Sequence, residues 1–210
     1  MALPATHVRY ALMQMPSGID IHQKAYIAGT LYPDSRMLTG VSRELTHGEG
    51  CLADGFANTP FRLGWQLHLR CDLLQAEIHT RLWPAAADLP EPRRWIAMSA
   101  AKMVQDEADR LAGPLLEHLE ALSPSAPPFG ESFDRIVRFY RMIHGVYACT
   151  EIAPHERFAR LWAGVGLDAG LIDRLLKAYE ELLADEDLAQ RIAASLSLFP
   201  VGEGARTPFE

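Results

Sequence analysis

The stretch PFRLGWQLHLRCDLLQAEIHTRLW, residues 60–83, decides the fold. Pro60 suits a first helical position, where its missing N–H costs no bond, and Pro84 closes the run. Within it His68 and Asp72 stand four residues apart, and 3.6 residues per turn puts both on one helical face. Leu67, Leu69, Leu73 and Leu74 surround them, which predicts burial. An imidazole and a carboxylate are costly to bury without partners, so the pair asks for a ligand or a companion.

Helical spacing continues on both sides. ATHVRYALMQM, residues 5–15, places Val8, Ala11, Leu12 and Met15 on one face with Thr6 as the expected N-cap, and Pro16 stops it. A short helix is expected from Asp20 to about Leu31. Residues 32–59 are rich in Gly, Asp, Ser and Thr with little periodicity, and read as a long ordered loop with a helical turn near SRELTH. Further on, Arg93 to about Leu122 is amphipathic and should kink at Gly113-Pro114; three helical segments follow residue 132. No alternating strand pattern and no fixed-period repeat is found. The predicted fold class is an all-α helical bundle. One domain is expected over residues 1–210, with its polar candidates in 1–84, a helical remainder in 85–210 and a linker near 123–132.

Composition narrows the function classes. The chain has 210 residues, 49% hydrophobic and 22% charged, enough for one sizeable core. A formal charge of −7 argues against a nucleic acid as a stable partner, because such partners call for a basic face. Cys51, Cys71 and Cys149 match neither a zinc-finger spacing nor a disulfide framework and are expected as reduced thiols. No stretch has the apolar length of a membrane span and no leader precedes the first helix, so a cytoplasmic protein with no membrane partner is expected.

Four polar positions fall into one set: Asp34 in TLYPDSR, His47 in RELTHGEG, and the pair His68 and Asp72. Two imidazoles and two carboxylates suit a divalent transition metal. His7, near the start of the first helix, is a fifth candidate, able to serve a second metal through a shared carboxylate. Arg36 and Arg43 flank the set in DSRMLTGVSRELTH, and guanidinium forks match phosphate or carboxylate, so both are candidates for binding a small anionic substrate. His22 and His79 are read first as a helix-surface residue and as a further ligand candidate, respectively.

Together these strings resemble the zinc-dependent phospholipase C family and its single-strand nuclease relatives. LGWQLHLRCDLLQAEIH, residues 63–79, resembles the family's helix, with a glycine before an H-x-x-x-D pair and a histidine after it. ATHVRYALMQM resembles its N-terminal S/T-H helix, and AGTLYPDSRMLTGVSRELTH its G-x-x-x-P-D segment followed by T-H, in the same order. The resemblance covers roughly residues 5–80. It implies that Asp34, His47, His68 and Asp72 hold one metal, with His7 and Asp72 contributing to a neighbour. None of His118, His144 or His155 has a glutamate four residues on, so a downstream ligand pair of the trinuclear members has no counterpart and one or two metals are expected.

The implied activity is hydrolysis of a phosphoester, a small soluble one preferred, with zinc as the first choice of metal and Asp34 as ligand or general base. Iron on the same ligands would suit dioxygen chemistry instead, and a closed site would make the metal structural in a binding module. Either state of assembly, monomer or homo-oligomer, is compatible with the sequence.

Overall fold

Two glycines set the packing of the first half of the chain. In this computed structural model, which describes residues 3–15, 22–48, 59–112 and 127–200, helix α2 (Gln23–Leu31) crosses helix α5 (Pro60–Leu82) at Gly29 and Gly64. A Cβ on Gly64 would lie 1.9 Å from the Tyr26 carbonyl oxygen, and one on Gly29 1.8 Å from that of Phe61. Only glycine lets the two backbones come this close. The crossing brings Thr30 of α2 against the turn of α5 that carries His68, which is how the fold begins to build a site.

Around this cross lie α1 (Pro4–Met13), a 3₁₀ turn (Tyr32–Ser35), and the short helices α3 (Arg36–Thr39) and α4 (Arg43–His47). The helical turn expected near SRELTH is α4, but the rest of 32–48, expected as loop, is also mostly helical. Those further elements are four residues long, too short to show a period of 3.6 in sequence. Gly40, at φ 78°, ends α3, and the Ser42 hydroxyl caps α4 by accepting from Leu45 N. The expected Thr6 cap on α1 is also corrected: the helix starts at Pro4, with Leu3 in the cap position and no capping side chain of its own.

After α5 come α6 (Pro84–Ala87) and α7 (Arg93–Leu111), then α8 (Phe133–Ala148), α9 (Pro154–Gly164), α10 (Ala169–Leu183) and α11 (Glu186–Ala193), with a closing 3₁₀ turn at Ser195–Leu198. Among the described residues every regular element is helical, and no helix is long and apolar enough to cross a membrane. The kink expected at Gly113-Pro114 and the first part of the expected linker lie outside the described residues. The part of the linker that is described packs down: Phe129 meets Trp65 edge to face, and Glu131 accepts from the Tyr32 hydroxyl.

The later helices are amphipathic in the ordinary way. In α10, Ile172, Leu175, Leu176, Tyr179 and Leu182 form the buried stripe, and Asp168 caps the helix by accepting from Leu171 N at 2.9 Å. These residues join α7, α8 and α9 in one continuous core that reaches Tyr26, Ile27 and Trp65. α7 runs through the middle, packing on α1 on one side and on α10 and α11 on the other.

Candidate metal centre

Five side chains predicted as ligands meet between α1, α2, α4 and α5. The Nε2 atoms of His47 and His68 lie 3.1 Å apart. Asp34 Oδ1 is 3.7 Å from His47 Nε2 and 3.9 Å from His68 Nε2, and Asp72 Oδ2 is 3.8 Å from each. Ligand atoms about 2.0–2.2 Å from a tetrahedral metal are roughly 3.3–3.6 Å from one another. Among the described residues two triads, Asp34/His47/His68 and His7/His68/Asp72, each have ligand atoms within 4.8 Å of one another, close enough to converge on a transition metal.

The remaining oxygens of the same two carboxylates face the other way. Asp34 Oδ2 is 3.9 Å and Asp72 Oδ1 3.7 Å from His7 Nε2. Each carboxylate thus lies between the His47/His68 pair and His7, and the two triads of possible metal donors overlap at His68. His7 stacks on His68 with ring centroids 3.9 Å apart.

Hydrogen bonds aim the imidazoles. His68 Nδ1 is 2.8 Å from the Thr30 carbonyl, which only accepts, so the proton sits on Nδ1 and the Nε2 lone pair points inward. His47 Nδ1 is 2.8 Å from Thr46 Oγ1, whose own proton has the Ser42 and Arg43 carbonyls to go to at 3.3 and 3.4 Å. With Nδ1 donating to Thr46, His47 Nε2 is bare as well. Two lone pairs then face each other across 3.1 Å, an arrangement that a shared cation or proton relieves. Trp65 Nε1 donates to the Thr46 carbonyl at 2.9 Å, which ties the end of α4 to α5 and places His47. Such partners behind the ligands orient them and raise their basicity.

Burial governs the electrostatics. His7 and His47 are pushed down to about 3 and His68 well below the ordinary histidine value, in each case chiefly by burial, so all three are neutral ligands at pH 7. Burial, with the charge of Asp72 beside it, pushes Asp34 up to about 8. Burial opposes ionisation of Asp72, but the charge of the amino terminus, then His68 and His7 where they take a proton, and Lys102 outweigh it and hold that carboxyl well below the usual range. Both nitrogens of His7 and Oδ1 of Asp34 are buried with no hydrogen-bond partner. Polar atoms left without partners in a core are expensive, and a bound cation would take the lone pair of one His7 nitrogen and of Asp34 Oδ1. The residues present fit a divalent metal.

The site opens on its carboxylate side, where the Asp34 and Asp72 side chains keep 11% and 15% of their exposure against 0–4% for the imidazoles. Arg36 follows Asp34 by two residues and is half-buried, with its Nε buried and unpartnered; its charge acts on Asp34. Arg43 is exposed at the start of α4, and its charge acts on His47. Both also act on exposed Glu44.

His22 is exposed and His79 lies elsewhere. His79 Nε2 bonds Gln105 Oε1 at 2.8 Å, where Gln75 Nε2 also donates, and Ser195 Oγ is 3.4 Å away. Burial of the His68/Asp72 face is as expected, but its leucine signal is not the cause: Leu73 is 51% exposed, α1 and α2 pack over this helix, and α4 is tied to it through His47 and Thr46. Sequence reasoning missed the residues behind the ligands, Thr30, Thr46 and Trp65. Thr46, adjacent to His47, carried the one local signal. A surface cleft lined by Trp83, Leu89, Arg93, Ile96, Glu181 and Leu188 includes none of the candidate ligands.

No family model, no curated protein and no solved structure matches the chain.

Proposed function

We propose that the chain is a metal-dependent hydrolase of phosphoesters, related in its ligand pattern to zinc-dependent phospholipase C. One observation carries the reading: three imidazoles and two carboxylates from separate parts of the chain converge in two overlapping triads, Asp34/His47/His68 and His7/His68/Asp72, whose donor atoms lie within 4.8 Å of one another. His47, His68, Asp34 and Asp72 would hold one ion, and His7 with the same two carboxylates a second. A divalent transition metal bound there, zinc by its liking for mixed nitrogen and oxygen donors, supplies Lewis acidity and a bound water with a pKa lowered to roughly 7.

The chain's own residues do the rest. Thr30 and Thr46 hold His68 and His47 in the tautomers that turn Nε2 inward. Asp34, at the open edge, serves as a ligand or, where an oxygen is free, as the base that takes a proton from an attacking water. Arg36 offers an unpartnered N–H beside it for an anionic oxygen of the substrate, and Arg43 adds positive charge at the rim. Largely buried donors and a net charge of −7 favour a small soluble phosphodiester or phosphomonoester over bulk anionic lipid.

The test is hydrolysis of bis(p-nitrophenyl) phosphate and p-nitrophenyl phosphate by the chelator-stripped chain with and without added Zn²⁺. Zinc-dependent turnover that disappears in Asp34→Ala supports the reading. No turnover of either ester with metal bound contradicts it, and visible absorption with bound iron in the native protein would favour dioxygen chemistry instead.

A further inference from the structure

Of the three imidazoles in the centre, His7 alone has no hydrogen bond of its own. His68 is tied to Thr30 and His47 to Thr46, while both His7 nitrogens lack a partner. Where His7 sits is therefore decided by how its helix sits, apart from the stacking on His68. That helix, α1, has no cap from its own sequence. The first N–H groups of a helix need acceptors, and here they find one on a helix a hundred residues away. Asp106, in the middle of α7, accepts from Ala5 N at 2.7 Å and Thr6 N at 3.2 Å through Oδ1. Its Oδ2 accepts from the Tyr147 hydroxyl of α8 at 2.6 Å. One turn further along α7, Asp109 accepts from Arg9 of α1 at 3.1 Å.

Resting on the reading above, we propose that Asp106, braced by Tyr147, is a positioning residue for the second metal: it caps α1 and so holds His7 over the shared carboxylates of Asp34 and Asp72. Several features of the geometry point the same way. Asp106 is fully buried, so its bonds are not shared with water. Its two acceptor contacts fall on the residues directly before His7. Without the carboxylate, two buried N–H groups of α1 would be left unpaired, and α1 would have to shift to reach other acceptors.

Calorimetric titration of the chelator-stripped full chain with Zn²⁺ tests this. The parent should take up two ions in distinguishable steps. In Asp106→Ala the weaker step should lose roughly 10- to 100-fold in affinity, the range seen when a group behind a ligand is removed, with the first step unchanged. Asp106→Asn, which keeps one acceptor oxygen, should recover part of the loss. Glu107→Gln is the control for damage of a merely structural kind: Glu107 is the next residue, held by Arg157 at 2.6 Å and Arg110 at 2.7 Å, and touches no part of α1 that carries a ligand. It should lower the melting temperature and leave both steps alone. If Asp106→Ala does not fold, Tyr147→Phe takes its place, with a smaller but equally selective weakening expected. An unchanged second step in the folded variant, or an equal loss in Glu107→Gln, overturns the assignment. So does a parent that takes up only one ion, while a parent that takes up none overturns the metal-centre reading as well.

Discussion

The two ends of the chain solve the problem of a buried core differently. In α10 and α11 the buried positions are Ile172, Leu175, Leu176, Tyr179, Leu182, Leu188 and Ile192, and charges stay outside. In α1, α2 and α5 the same depth holds Thr6, His7, Thr30, His68, Gln75 and His79, with Asp34 and Asp72 at the edge. An apolar stripe stabilises a fold by leaving water, at ~25 cal/mol per Å². Buried imidazoles and carboxylates stabilise only if each finds a partner. The first kind of core needs only the right period; the second needs specific partners, which come from distant parts of the chain.

The largest effect that could break this contrast is at the α2/α5 crossing. Gly64→Ala would drive a Cβ into the Tyr26 carbonyl at 1.9 Å, and backbone cannot step aside as a flexible side chain would. Overpacking typically costs ~1–3 kcal/mol, and this site should reach or exceed the upper end, with loss of metal binding because Thr30 and His68 separate. A chemical-denaturation curve and metal content on the same sample would show both. Leu175→Ala, in the apolar half, should cost about 2–5 kcal/mol yet leave metal content unchanged below its melting temperature. Metal loss at full folding in that variant would mean the two halves are not separable.

A smaller effect sharpens the comparison through pH. His79 is held down to about 4, chiefly by burial, against ~6.5 in an unfolded chain. Between those values the unfolded state binds the proton and the folded state does not, so stability falls as pH drops from 6.5 to 4. His79→Gln, which keeps a donor near Gln105 Oε1, should make that fall shallower in urea midpoints measured across the window. An identical slope would exclude His79 as a contributor. Smallest of all, Arg43→Ala should raise KM for an anionic ester by ~3-fold with metal content unchanged, the modest effect of one exposed charge. An unchanged KM would remove Arg43 from the substrate's field.

How much of this was legible depended on whether a signal was local. The all-α class and α5 to within a residue at its end followed from proline stops and period, and the later helices from their apolar stripes. His68 and Asp72 were legible as a pair because a helix puts them on one face. Their convergence with His7, Asp34 and His47 was legible from the order of motifs, not from spacing. Within 32–48 the helical turn at SRELTH was legible and is α4, whereas the turn at Tyr32–Ser35 and α3 were missed because elements of four residues show no period. Thr6 was misread as a cap because the acceptor that caps α1 is Asp106, 100 residues away. Gly29 and Gly64 betray their role only when the two backbones are seen together. Within the described part of the expected linker, Phe129 and Glu131 have partners on α5 and on the Tyr32 turn that composition does not reveal.

Metal content measured by mass spectrometry on the natively purified chain, beside His68→Ala, bears most directly on the central claim. A stoichiometric transition metal in the parent and its loss in a folded His68→Ala is the predicted result. No metal in either, even after incubation with Zn²⁺, would contradict the account and make His7, His47, His68, Asp34 and Asp72 a buried polar cluster and nothing more.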